Sequence, residues 1–302
     1  MENCGFFLID KPKHVNSFYV VRSLRKVLNM KRIGYAGTLD PLASGLMIVA
    51  VGEATKLLFD LEQTDKVYEV AIKLGEVSET YDAEGPIHAF KDREISEIIN
   101  PPSRKQIEEI LKKDFSGEQM QIPPRYSAVK IQGKHAYELA RKGKEVNIPS
   151  KKVVFYDIQI FSYEYPFLRC SVHCSAGTYI RSFAHDLGQK LDCGGYVQEL
   201  RRTKIGPHLV DDAIELQAFN PQNFQKFFQP PEKFLSDWRH YELTEKEYAF
   251  LQNGGFVPNR WELERYEYSK PVLGLFKGKT VGLLEFCEDG RSVKFAKKFN
   301  LS

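Results

Sequence analysis

The 302-residue chain has no apolar run near the roughly 18 residues needed to cross a bilayer. Its opening, MENCGFFLID, has no basic stretch ahead of an apolar core, so no secretory signal is expected. Five cysteines, odd in number and scattered, speak against a disulfide framework and suit a reducing cytoplasm. There is no P-loop, no HExxH helix, no dinucleotide fingerprint and no internal repeat. The chemistry is therefore expected to fall to side chains alone, with no cofactor and no metal. Two short patterns imitate chemistry. SAVK (Ser127–Lys130) matches a serine-hydrolase pattern, but no S-D-N or K-T-G partner follows it. CSVHC has metal-like spacing, yet on a strand Cys170 and Cys174 face one way and His173 the other.

What the chain does contain is an ordinary globular composition, with 42% hydrophobic and 27% charged residues, which rules out disorder. Its length suits one large domain and a small one. The net charge is only +3, but it is unevenly spread. Between Arg125 and Lys152 there are eight Lys/Arg, among them Lys130, Lys142 and Lys144, against the two acids Glu138 and Glu145. Such a basic window on a near-neutral chain is the footprint of a polyanion site.

Periodicity predicts a strand over GFFLID (5–10), then an amphipathic helix capped at Asn16 or Ser17. LMIVAV (46–51) reads as a fully buried strand. Lys66–Leu74 alternates as a half-buried one, with Tyr68 on its apolar face. Ser103 and Gln106 form a capping box for a helix. A strand pair over Lys152–Tyr165 and Phe167–Ser175 precedes a helix from Tyr179, and QELRRTKIG (198–206) reads as a further strand. Strands and helices mix without strict alternation, so the fold class is α+β, with a central mixed, largely antiparallel sheet flanked by helices and loops. The texture changes between Pro230 and Tyr241, where a short helix and small hairpins begin. This divides the chain into a 1–240 domain and a β-rich 241–302 module.

GTLDPLASGL (37–46) places one carboxylate, Asp40, just before the buried strand. Read alone, Asp-Pro is a turn starter. A carboxylate can also be a nucleophile if it is kept from bulk water beside a cation. Arg181 in GTYIR (177–181) is the candidate cation; with Thr178 as N-cap it falls at the third helical position, facing an anion alongside the free amides.

GTLDPLASGL, VGEATK, DKVYEV, CSAGTYIRSFAHDLG and ELRRTKIG, in that order, closely resemble the bacterial tRNA pseudouridine-55 synthases of the TruB type. FLIDKPKHVNSFYVVRSLR and PPRYSAVKIQGKHAYELARKG resemble the same family's N-terminal and RNA-gripping segments. The resemblance covers most of residues 5–210, and the tail is similar to a PUA RNA-binding module. It implies the pseudouridine synthase fold, an isomerase acting on uridine 55 of the T stem-loop of tRNA, base flipping, and an aspartate nucleophile. By position, Asp40 is the nucleophile, Tyr68 stacks on the uracil and is a candidate for proton transfer, and Arg181 pairs with Asp40. Leu200 contacts the base, and Lys11, Pro12 and Lys56 line or brace the site. Residues 120–152 become the RNA-gripping thumb, which includes Lys130, Lys142 and Lys144. The partner is tRNA, with no membrane and no obligate protein partner; a cytoplasmic monomer is expected.

The chain departs from the family at Tyr35, which stands where a histidine is usual in a loop that wedges into the RNA. It departs again at His14, which replaces a glycine of KPxGxTS, and in some extra residues around 87–100 that read as a surface insertion. Three other readings compete: an RNA-guided catalytic subunit of the same superfamily, a non-catalytic RNA-binding protein on this scaffold, and a hydrolase with an aspartyl nucleophile, which lacks a separate base positioned for water.

Overall fold

The computed structural model describes residues 4–91, 101–127, 129–131, 133–140, 142–143, 147–260, 271–288 and 290–300. β1 (Gly5–Lys11) leads into helix α1 (Ser17–Leu28), whose N-cap Asn16 accepts from the Tyr19 amide. β2 (Ile33–Ala36) runs into the Asp40 loop, and β3 (Ser44–Val51) follows it. β4 (Lys66–Leu74) comes next, then helix α2 (Arg104–Asp114) with its capping box. β5 (Gly117–Gln121), β6 (Lys151–Glu164) and β7 (Phe167–Cys174) precede helix α3 (Ile180–Lys190) and β8 (Gly195–Ile205).

These strands join one ten-stranded sheet, with β1, β3, β8, β4, β7, β6 and β5 side by side in that order. All of these neighbours are antiparallel except β3 and β8, which meet in parallel at Ser44–Arg201 and Gly45–Arg202. The sheet is thus mixed and largely antiparallel, as expected.

Every residue of β3 is buried, because apolar clusters cover both of its faces. Met47, Val49 and Val51 pack with Val20, Val21 and Leu24 of α1. Leu46, Ile48 and Ala50 face the opposite way and meet Leu57, Phe234, Leu273, Leu283 and Phe299. An unbroken apolar run is what a strand buried on two sides requires. The second cluster reaches into the C-terminal sheet, where β9 (Arg239–Glu242), β10 (Val272–Phe276), β11 (Lys279–Phe286) and β12 (Ser292–Lys298) lie in order. That sheet thus begins slightly before residue 241. Lys277 and Gly278 both take positive φ in the β10–β11 turn, the geometry a two-residue hairpin needs.

Two local expectations change. Ile87–Ala89 forms an antiparallel pair with Glu76–Ser78, so that part of the 87–100 stretch is a hairpin; 92–100 lie outside the described residues. The N-cap of α3 is Tyr179, not Thr178, which makes Arg181 the second helical residue. The Thr178 hydroxyl donates instead to the Ser175 carbonyl, and the Gln121 side chain takes the Tyr179 amide at 2.8 Å. Cys170 and Cys174 lie in the core, while His173 turns outward to pair with Asp65.

Candidate active site

The Asp40 loop is fixed from below. The Ala43 amide donates to the Asp40 carbonyl at 3.1 Å, closing the turn that Asp-Pro suggests. Ser17 Oγ donates to the Leu39 carbonyl and accepts from the Leu39 amide, both at 2.9 Å. Lys11 is fully buried, and its Nζ donates to the carbonyls of Pro12 (3.0 Å), Val15 (2.7 Å) and Pro41 (3.4 Å). Arg202, also buried, donates to the Gly37 and Leu46 carbonyls at 3.0 and 2.8 Å, clasping both ends of the loop. His14 takes φ +64 and donates its amide to the Pro41 carbonyl at 2.7 Å. This is the left-handed conformation a glycine adopts freely, and the histidine bears it at some cost.

Above this base, Asp40 Oδ1 accepts from Arg181 Nη2 at 3.0 Å while Oδ2 stands 2.8 Å from Nε. One hydrogen bond through Nη2 and a close charge contact through Nε thus join the guanidinium to the carboxylate. The arginine side chain is 6% exposed and the aspartate 34%, so the cation is buried and the carboxylate faces open space. Arg181 is held further by the Thr80 and Tyr126 carbonyls, at 3.1 and 3.0 Å. Asp82 Oδ2 lies 3.6 Å from its Nε.

Asp40, Tyr68, Arg181 and Leu200 line one cleft of about 650 Å³. Leu200 and Arg202 stand on β8 against Val70 and Tyr68 of β4, so strand alternation turns Tyr68, Leu200 and Arg202 to the same face. Burial pushes the Tyr68 phenol above its ordinary pKa, with Arg202 opposing. The ring therefore enters the cleft neutral. Burial also raises Glu84 at the rim, helped by the charges of Asp82 and Asp40. Lys66, another lining residue, is lowered to about 8 by burial.

The remaining expected residues are placed apart. Lys11 and Pro12 brace the loop from beneath it. Tyr35, on β2, is half-buried with its hydroxyl 3.5 Å from Thr38 Oγ1. Lys56 does not join the cleft; it pairs with Glu53 at 2.8 Å and donates to the Lys298 carbonyl, which ties the VGEATK turn to the C-terminal sheet. Lys130 and Lys142 are exposed on the basic segment, and Lys144 lies outside the described residues. The root of that segment is anchored at α3, where Ser182 Oγ donates to the Ile122 carbonyl at 2.7 Å.

Sequence reasoning missed Arg202, Ser17 and the Thr80–Asp82 segment. Arg202 had a signal. In ELRRTKIG, strand alternation must send one arginine inward; Arg201 pairs outward with Asp10 at 2.6 Å, and Arg202 is the inward one. Ser17 was read only as a cap. Within the Thr80–Asp82 segment, Tyr81 stacks on His185, one turn beyond Arg181, at 3.9 Å.

Residues 25–180 match the family described as TruB family pseudouridylate synthase (N terminal domain), and residues 181–235 match the tRNA pseudouridylate synthase B C-terminal domain. A tRNA pseudouridine synthase B of Clostridium tetani is 36% identical over 288 residues, which are 95% of this chain and 96% of that protein. One from Pseudomonas fluorescens is 36% identical over 299 residues, 95% and 93% of the two chains. Among solved structures, one titled as a Cbf5-Nop10-Gar1 complex has a TM-score of 0.73 at 25% identity, covering 98% of this chain and 85% of that one. Another, an H/ACA RNP bound to a substrate RNA containing 2'-deoxyuridine, has a TM-score of 0.71 at 22% identity and shares the fold. The motifs that shape the Asp40 cleft, the two matched domains and the near full-length relatives agree: the chain belongs to the TruB family of pseudouridylate synthases.

Proposed function

We propose that this protein converts uridine 55 in the T loop of tRNA to pseudouridine, with Asp40 as the nucleophile. The observation that carries the reading is a carboxylate open to a cleft and paired with a buried arginine, beside Tyr68 and Leu200. Its relatives are tRNA pseudouridine synthases, which supports tRNA as the substrate.

The reaction breaks the bond from uracil N1 to ribose C1′, turns the base, and joins C5 to C1′. The C5 hydrogen leaves and N1 gains a proton, so neither oxidation nor net water is involved. A stacked base must first swing out of its loop to reach Asp40. The cleft's volume suits a nucleotide, and a base filling it displaces the water that would divert the broken bond to hydrolysis. Tyr68, kept neutral by burial, provides a flat ring for stacking and a hydroxyl that can donate; its raised pKa disfavours a phenolate base at neutral pH. Arg181 holds the carboxylate at one angle, so positioning is settled before substrate arrives. Lys130, Lys142 and Lys144 bind phosphate as part of the 120–152 thumb, and the C-terminal sheet acts as a PUA-like RNA module with no obligate protein partner.

The test is incubation of purified protein with an unmodified tRNA transcript, followed by mapping of pseudouridine. One modified position, in the T loop, is expected. Failure on bare transcript, with activity restored by accessory proteins and a guide RNA, would favour the reading as an RNA-guided subunit.

A further inference from the structure

From Lys11 to Leu39 the chain has seven Lys/Arg and no acid. This is a second basic window, beyond the one at 125–152. Some of its charge is neutralised by distant acids: Lys13 pairs with Glu199 and Arg32 with Glu53. Arg22, Lys26 and Lys31 are exposed and have no acidic partner among the described residues. Arg22 and Lys26 project from the outer side of α1, a helix with no acidic residue.

Two aromatic rings share that side. Phe18 is 55% exposed and Tyr19 42%. Scattered exposed aromatics are ordinary, but here each has an arginine over its face. The Arg22 guanidinium lies 5.6 Å from the Tyr19 ring centre and that of Arg25 lies 5.7 Å from the Phe18 ring centre. Rings and guanidinium planes arranged this way are the surface on which unstacked bases settle, with cations placed for the phosphates between them. A protein partner would more often meet an apolar patch with a polar rim than aromatic rings beneath arginines that have no acidic partner among the described residues.

Helix α1 is tied to the loop that bears Asp40. Ser17, the residue before Phe18, holds Leu39 by two hydrogen bonds, and Leu39 precedes Asp40. Arg25 also donates to the Ile33 carbonyl at 3.2 Å, tying α1 to β2, which leads into the same loop.

We propose that the outer face of α1, with Phe18, Tyr19, Arg22 and Lys26, is a second RNA-contact surface. It receives the strand next to the flipped nucleotide, stacking bases on the two rings and pairing phosphates with Arg22 and Lys26. This rests on the reading of the cleft as an RNA-modifying site and adds where the remainder of the RNA lies.

The test uses the full chain carrying Asp40→Asn, so that binding is read without turnover, and an unmodified tRNA transcript as the probe. Arg22→Ala/Lys26→Ala is expected to weaken binding and to shallow the log–log salt dependence by about 0.7–0.9 for each lost phosphate contact. Phe18→Leu/Tyr19→Leu is expected to weaken binding roughly tenfold with the slope unchanged, since stacking releases no counterions. In protein with α1 unaltered, ultraviolet cross-linking should attach RNA to Tyr19, a readout free of any folding defect in the variants. Binding by the parent with both double variants matching it, or cross-links confined to the cleft and residues 120–152, would overturn the proposal and leave the stripe to a protein partner. A parent that binds no tRNA would overturn the reading of the cleft, and the proposal with it.

Discussion

Lys11 carries its ammonium where no water reaches it, under the loop that bears Asp40. Burial lowers its pKa to about 8, with the Asp40 charge opposing. Between there and 10.5, where an unfolded lysine titrates, the unfolded chain holds the proton more tightly than the folded one. Raising the pH through this window therefore relieves a stability cost. Function should move the other way, because the neutral amine is a weaker donor to the carbonyls of Pro12, Val15 and Pro41. Single-turnover rates are expected to fall as pH rises through about 8 with no loss of fold. Lys66, lowered to about 8 as well, is the competing source of such a limb. Lys11→Met separates the two: a slow enzyme with a flat profile is expected, and an unchanged alkaline limb would assign it to Lys66. At this scale the meeting of Asp40, Tyr68, Arg181 and Leu200 in one cleft was legible because each stands in an ordered motif. Lys56 was not placed correctly by its motif, since its partner, the Lys298 carbonyl, is supplied from the far end of the chain.

Where β3 and β8 meet in parallel, Gly45 takes φ +107, and a Cβ there would meet the Arg202 carbonyl oxygen at 2.2 Å and its amide nitrogen at 2.7 Å. Both contacts are backbone, so the strands themselves must part to admit a side chain. Arg202 would then lose its reach to the Gly37 and Leu46 carbonyls and release the Asp40 loop. Gly45→Ala is expected to cost about 1–3 kcal/mol in backbone strain alone. Its melting temperature should fall by several degrees, and turnover should drop more than tenfold where the fold persists; an unchanged melting temperature and rate would refute the packing argument. Strands with strong periodicity, β3 and β4 above all, could be read from the chain. The start of α3 was misplaced by one residue because the Thr178 hydroxyl donates to the Ser175 carbonyl instead of capping the helix, while Gln121, on a strand remote in sequence, takes the Tyr179 amide.

Across the whole molecule, the C-terminal sheet is packed against the second face of β1 and β3 through a shared apolar cluster. Glu53 receives the Asn300 amide at 3.0 Å, which adds a polar clasp to that contact. The change of texture near residue 240 marked where a new unit begins, but docking depends on pairs separated by most of the chain and leaves no local signal. The same holds for the proposed RNA contacts: the 125–152 window stood out by count, whereas the cations of α1 were diluted by an amphipathic pattern that invited only a core reading. Thumb, α1 stripe and cleft together make one claim, that an RNA nucleotide is brought to Asp40 and rearranged there. The most direct measurement compares the native protein with Asp40→Asn on tRNA labelled at uridine C5, scoring hydrogen release and RNA binding together. Arg181 keeps the Thr80 and Tyr126 carbonyls and the nearby Asp82 in the variant, so the fold is expected to persist. The expected result is tRNA binding close to native with hydrogen release abolished. Hydrogen release at the native rate by Asp40→Asn would contradict the account.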